Sequence, residues 1–186
     1  MELKFSSPVS RHYFALRCVP GDSLRQKITV AECRVSPADY TSADKDGFGN
    51  LKISGSCRKL HDTFSYHVAG TAVVQGMIVQ KCPLHPMYRY PSKYTEPGPG
   101  ITAFAEKVSQ KCKRQGTETA MERAVCAMHD LYTRFQYIPG VTDIGTTAEQ
   151  ALMQGKGVCQ DYAHIMIAVM RQMGIPARYV NGLMIG

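Results

Sequence analysis

The spacing of apolar positions changes part-way along this chain. From residue 3 to about 80, apolar and polar residues alternate over short stretches, at residues 13–19, 27–30, 50–54 and 63–68. A period of two places alternate side chains on opposite faces of a strand. Turn signals separate the stretches, at Pro20-Gly21-Asp22, Asp46-Gly47 and Phe48-Gly49-Asn50. No helix-length periodic segment interrupts them, so this half predicts an antiparallel β-sandwich. Nothing in it forms a chemical constellation. His12, His61 and His67 stand isolated on strands or turns.

Residues 83–100 then hold Pro83, Pro86, Pro91, Pro97, Gly98, Pro99 and Gly100. That density cannot continue a helix or a central strand. The expected organisation is a β-rich domain over 1–82, a linker over 83–100 and a second domain over 101–186. In the second domain the period becomes helical. Ile101, Phe104, Ala105, Val108 and Cys112 mark one apolar face. Met121, Val125, Met128, Leu131, Tyr132 and Phe135 mark another, a Met-rich face expected to pack in the core. Gly140 and Gly145 bracket a loop. Thr146, three residues before Glu149, predicts a capping box that opens a short helix ending at Met153. Gly155 and Gly157 close it. A longer helix is expected over residues 158–173, stopped by Gly174-Ile175-Pro176, with a strand starting at Ala177.

Composition narrows the classes. Hydrophobic residues make up 44% of the 186 and charged residues 20%, so a folded core is expected rather than disorder. The net charge is +7, but the densest basic group, Lys107, Lys111, Lys113 and Arg114, fits the wet face of a helix. Nucleic acid is therefore not an expected partner, because its binding needs a clustered patch. No apolar run approaches the roughly 20 residues of a membrane span, and the start lacks a basic segment followed by an apolar one. No membrane association and a cytoplasmic location are expected. The seven cysteines are scattered without a CxxC pair, which predicts reduced thiols. Cys82-Pro83-Leu84-His85 lacks a second ligand pair, so neither a metal nor another cofactor is expected.

One segment carries chemistry: Gly155-Lys156-Gly157-Val158-Cys159-Gln160-Asp161-Tyr162-Ala163-His164. Two glycines let the backbone turn, and a cysteine then opens a long helix. Free amides and the positive end of a helix dipole stabilise a thiolate. The same amides can donate to the oxyanion formed when a thiolate attacks a carbonyl. At about 100° per residue, Gln160, Asp161, His164, Arg171 and Gln172 share one polar stripe. The other positions are apolar, which predicts a helix buried on most sides. Cys159 projects away from the stripe, towards the interior, where an inert buried thiol would also sit. Geometry leaves both readings open. His164 falls about 140° round the helix from Cys159 and reads as a surface or supporting residue. Asp161 is expected to face away from Cys159, and His129 has no readable partner.

The residues Phe135-Gln136-Tyr137, Thr147-Ala148, Ala151-Leu152, the run 155–164, and Arg171 onward through Gly174-Ile175-Pro176-Ala177-Arg178-Tyr179-Val180-Asn181-Gly182 resemble the transglutaminase-like core of bacterial cysteine hydrolases. The resemblance covers roughly residues 130–186. The sandwich is similar, more weakly, to the β-domain that often precedes this core. The implied fold class is α+β: an N-terminal antiparallel β-sandwich-like domain, then a papain-like or transglutaminase-like core built on a central buried helix. The implied nucleophile is Cys159. The implied base is a histidine on the following strand, with an aspartate on the next strand fixing its tautomer. The implied reaction is acyl transfer on an amide or peptide bond through a thioester, with hydrolysis expected and transamidation differing only in the acceptor. The partner is then a peptide or protein substrate.

Tyr137 is a candidate for lining the site, ranked behind a plain packing role. The family's histidine follows the strand that begins near Ala177, in a His-Ala-Trp-like motif. This chain reaches Gly186 first and contains no tryptophan. The core is therefore expected to be incomplete at its C-terminus and inactive alone. Tyr179, Val180, Leu183, Met184 and Ile185 would then form an open edge, through which self-association is expected. The alternative is a non-enzymatic scaffold that binds a protein or peptide.

Overall fold

The computed structural model describes residues 1–23, 26–75, 85–117 and 119–182. The chain divides into two compact units, Met1–Lys81 and Cys82–Gly186. All the described α-helices lie in the second.

The first unit contains β1 (Glu2–Val9), β2 (His12–Leu16), β3 (Gln26–Ser36), β4 (Tyr40–Lys45), β5 (Leu51–Cys57) and β6 (His61–Val74). They form two three-stranded antiparallel sheets, ordered β1-β6-β3 and β2-β5-β4. Aromatic side chains of the two sheets meet between them. Phe64 of β6 lies 4.8 Å from His12 and 5.0 Å from Phe14, both on β2. Phe5 of β1 stands edge-on to His12. Gly55 of β5 makes room for this core, because a Cβ there would lie 2.4 Å from the Phe14 ring. The alternation in the sequence therefore does mark a sandwich. His12 and His61 are not isolated. Their rings stack at 5.4 Å, His12 Nδ1 lies 3.2 Å from His61 Nε2, and His61 Nδ1 lies 2.8 Å from the Lys59 carbonyl.

The second unit packs α1 (Pro99–Gln115), α2 (Ala120–Tyr132), α3 (Ala148–Gln154) and α4 (Cys159–Gln172) around one core. Two short parallel strands, β7 (Gln136–Tyr137) and β8 (Lys156–Gly157), cross beside α4. The expected face of α1 is buried throughout. That of α2 is not. Met121, Val125, Met128 and Tyr132 are exposed; Leu131 and Phe135 of that face are buried as expected, and Cys126, Ala127 and Asp130 join them in the core. Asp130 is admitted because Lys111 of α1 forms an ion pair with it.

Two further expectations shift. The cap of α3 is Thr147 with Gln150, one residue later than Thr146 with Glu149. Glu149 instead serves α1. Its carboxylate accepts from the amides of Gly98, Gly100 and Ile101 at 3.2, 2.7 and 2.9 Å. An acid at a helix N-terminus satisfies orphan donors and opposes the dipole. Nor are residues 85–98 a free spacer. Ala148 N–H donates to the Tyr94 carbonyl, Ala177 N–H to the Tyr88 carbonyl, and Arg171 to the Thr95 hydroxyl. The segment is thus fastened to α3, to α4 and to the chain after α4.

Ala177 and the residues through Gly182 form no strand. A lone strand has no ladder to complete, and here Arg171 and Tyr88 hold Ala177 in place. The expected edge residues Leu183, Met184 and Ile185, like Cys82, Pro83 and Leu84 of the weak metal motif, lie outside the described residues. Tyr179 and Val180 are exposed. Among the described residues, no group of three or more metal-ligating side chains occurs and no helix is long and apolar enough to cross a membrane.

Candidate active site

The start of α4 is built from a turn that leaves little freedom. β8 ends at Gly157, and β7 lies parallel to it, with Gln136 N–H donating to the Gly155 carbonyl and Ile138 N–H to that of Gly157, both at 2.9 Å. Gly155 takes φ +67°, in the left-handed region that suits glycine at the end of α3. Tyr162 locks the helix against β7, its hydroxyl donating to the Phe135 carbonyl at 2.5 Å and its ring lying edge-on to Phe135 at 4.6 Å.

Asp161 is the organising residue of this turn. It is not on a wet face, as the helical stripe predicts, but 1% exposed. Its Oδ2 accepts from the Val158 amide and from the Thr142 hydroxyl, each at 2.7 Å. A third-position carboxylate folded back on the cap amide is half of a capping box, and the periodicity of polar residues cannot reveal it. Gly157 is what admits it. A Cβ at residue 157 would stand 2.4 Å from Asp161 Oδ2.

Capping leaves a specific set of donors. Val158 N–H is taken by Asp161, while Asp161 N–H and Tyr162 N–H both donate to the Val158 carbonyl. The remaining first-turn amides are those of Cys159 and Gln160, which have no preceding helical carbonyl to bond. They flank the thiol itself.

Cys159 is exposed. The expected inward projection is therefore wrong. The helix buries Ile165, Ile167, Ala168, Val169 and Met170, but its first residue stands at the surface. Of the six described cysteines, Cys57, Cys112 and Cys126 are buried and Cys18 and Cys33 half-buried, so Cys159 alone among them is open to solvent. Burial pushes the Cys33 thiol up to about 11, with Cys18 beside it adding to the shift. Burial likewise raises the Cys126 thiol, which shares a hydrogen bond with Cys112.

No histidine hydrogen-bonds Cys159 among the described residues. His164 is half-buried, stacked on Tyr94 at 5.7 Å and edge-on to Tyr179 at 5.7 Å. Its Nδ1 is buried without a partner, and burial lowers its pKa against the opposing pull of Asp161 and the Thr146 backbone. His129 is exposed on α2. Tyr137 is not core packing. It is exposed and pairs with Gly157, two residues before the thiol.

Residues 103–186 match the model of the transglutaminase-like superfamily, and residues 1–73 match that of the bacterial transglutaminase-like N-terminal region. Residues 103–186 belong to the transglutaminase-like superfamily. Two mycobacterial proteins, each named only as an uncharacterized protein, align along nearly the whole length of the chain. The protein of Mycobacterium leprae is 24% identical over 193 residues, spanning 96% of this chain and 66% of its own. That of Mycobacterium tuberculosis is 26% identical over 199 residues, spanning 97% and 62%. A crystal structure described as "a putative cysteine protease" from Cytophaga hutchinsonii has a TM-score of 0.71, covers 94% of this chain and 62% of that one, and is 21% identical. It shares the fold. The chain thus spans about two thirds of the length of these relatives.

Proposed function

We propose that this transglutaminase-like chain carries the nucleophile of a cysteine hydrolase that acts on amide or peptide bonds. The observation that carries the reading is the exposure of Cys159 at the first turn of an otherwise buried helix. An inert cysteine of a helical core is usually buried, as Cys112 and Cys126 are here. In the proposed reaction the Cys159 thiolate attacks the acyl carbon. The oxyanion is held by the amides of Cys159 and Gln160. The C–N bond then breaks, the amine leaves with a proton from the general base, and a thioester remains on Cys159. Water attacks the thioester, releasing a carboxylic acid and restoring the thiol. An amine in place of water would give transamidation.

The base and its orienting acid are proposed to lie in the part of the relatives' length that this chain does not span. The 186 residues would then accept an acyl group but not release it quickly. Incubation with a small activated ester, followed by intact-mass and peptide mapping, tests this. One hydroxylamine-labile acyl group per chain on Cys159, absent from Cys159→Ser, is the expected result. Acylation spread over other cysteines, with Cys159 unmodified, would overturn the reading.

A further inference from the structure

We infer that the cleft between Tyr94, Ile144, Gln160, His164 and Tyr179 is a subsite for an aromatic side chain of the acyl donor. The inference rests on Cys159 being the nucleophile. The cleft measures about 330 Å³, the lower end of the range for ligand pockets, so it has room for one side chain. Two of its lining residues belong to the first turns of α4: Gln160 is bonded to Cys159, and His164 follows Gln160 by one helical turn.

Its walls are aromatic and fixed in place. The Tyr94 and His164 rings stack with an interplanar angle of 17°, and Tyr179 meets His164 at 61°. Tyr94 is held from behind, its carbonyl accepting from Ala148 N–H at 2.8 Å and its neighbour Thr95 accepting from Arg171 at 2.9 Å. Ile144, 86% exposed, and the exposed Tyr179 present apolar surface on the open side. The cluster already holds one stacked and one edge-on pair, the two arrangements aromatic rings favour, and a further ring would extend it.

The same walls disfavour a cation. Among the described residues no carboxylate lines the cleft; Asp161, the nearest acid along α4, is folded under its own helix end onto Val158 and Thr142. Lys93 lies 5.9 Å over the Tyr94 ring and adds positive charge near the rim. His164 keeps its Nδ1 buried. The Gln160 side-chain amide lines the cleft as well and would hold the donor's backbone.

The test compares the rates at which three reagents alkylate Cys159 in the full chain: chloroacetamide, N-phenethyl chloroacetamide and N-(2-aminoethyl) chloroacetamide. The phenethyl reagent should react about threefold to tenfold faster than the parent, the factor one well-packed aromatic contact supplies, and the cationic reagent no faster. Ile144→Ala and Tyr179→Ala, both at exposed positions, should remove most of that gain and leave the chloroacetamide rate unchanged. Equal rates for the phenethyl and parent reagents at a reactive Cys159 would overturn the subsite and leave the nucleophile standing. A Cys159 unreactive towards all three would overturn both.

Discussion

Replacing Asp161 by alanine removes the one acceptor shared by the Val158 amide and the Thr142 hydroxyl at the head of α4. Both bonds are 2.7 Å and end on a carboxylate that is 1% exposed. Hydrogen bonds to charged groups contribute about 1.5–3 kcal/mol each, and a buried donor left alone costs a similar amount. Half-buried Thr142 recovers part of its loss from water. The expected cost of Asp161→Ala is therefore about 2–4 kcal/mol, and that of Thr142→Val about 1 kcal/mol. Gly157 gives an internal control. In the parent chain Gly157→Ala forces a Cβ to 2.4 Å from Asp161 Oδ2 and 2.8 Å from its Cγ. Overpacking of that kind costs about 1–3 kcal/mol. Asp161→Ala removes both atoms, leaving only the Asp161 Cβ, at 2.9 Å. The glycine substitution should then cost at least about 1 kcal/mol less, a coupling typical of residues in contact. The chain has no tryptophan, so urea unfolding would be followed by circular dichroism in the helix band, which reports the second unit. Strict additivity of the two substitutions, or a loss below about 1 kcal/mol for Asp161→Ala, would refute the reasoning.

Three further outcomes are expected. Glu149→Ala should destabilise the second unit by about 2–3 kcal/mol, more than the roughly 1 kcal/mol of an ordinary cap, because three amides at the head of α1 lose a charged acceptor; the same urea titration measures it. The sandwich should lose stability as the pH falls. Burial, then the neighbouring His61, lowers the His12 pKa from 6.5, so below that pH the unfolded state binds more protons than the folded one, until the folded pKa is passed. Amide exchange in β1 to β6 across that range should show the loss, and His12→Phe, which keeps a ring among Phe5, Phe14 and Phe64, should flatten it. Cys33, held up at about 11, should resist alkylation at neutral pH in the folded chain and react once urea exposes it, as peptide mapping would record.

Much of this arrangement is legible in the sequence, where local period and burial coincide. Alternation along β2, β3, β5 and β6 marks the sandwich, and the spacing of Ile101, Phe104, Ala105, Val108 and Cys112 marks the buried face of α1. The glycine-flanked Cys159 marks the helix start. Failures arise where a partner from another element decides burial. Met121, Val125, Met128 and Tyr132 are as regularly spaced as any core face, yet α2 turns them outward because Asp130, paired with Lys111, goes in. Asp161 looks solvated until its amide and hydroxyl donors are known. Glu149 caps a helix some fifty residues earlier. The stretch after Pro176 reads as a strand from its β-branched and aromatic residues, but a strand needs a neighbour to pair with. The inward projection assigned to Cys159 fails for a simpler reason: a helix buried along its length still has an open first turn.

Limiting iodoacetamide, applied to the folded chain over a pH series and mapped by peptide mass spectrometry, bears most directly on Cys159 as the nucleophile. The other cysteines serve as internal controls. Cys159 should be alkylated first, ahead of half-buried Cys18 and Cys33, with Cys57, Cys112 and Cys126 protected. A Cys159 that stays slow while Cys18 or Cys33 reacts would contradict the account.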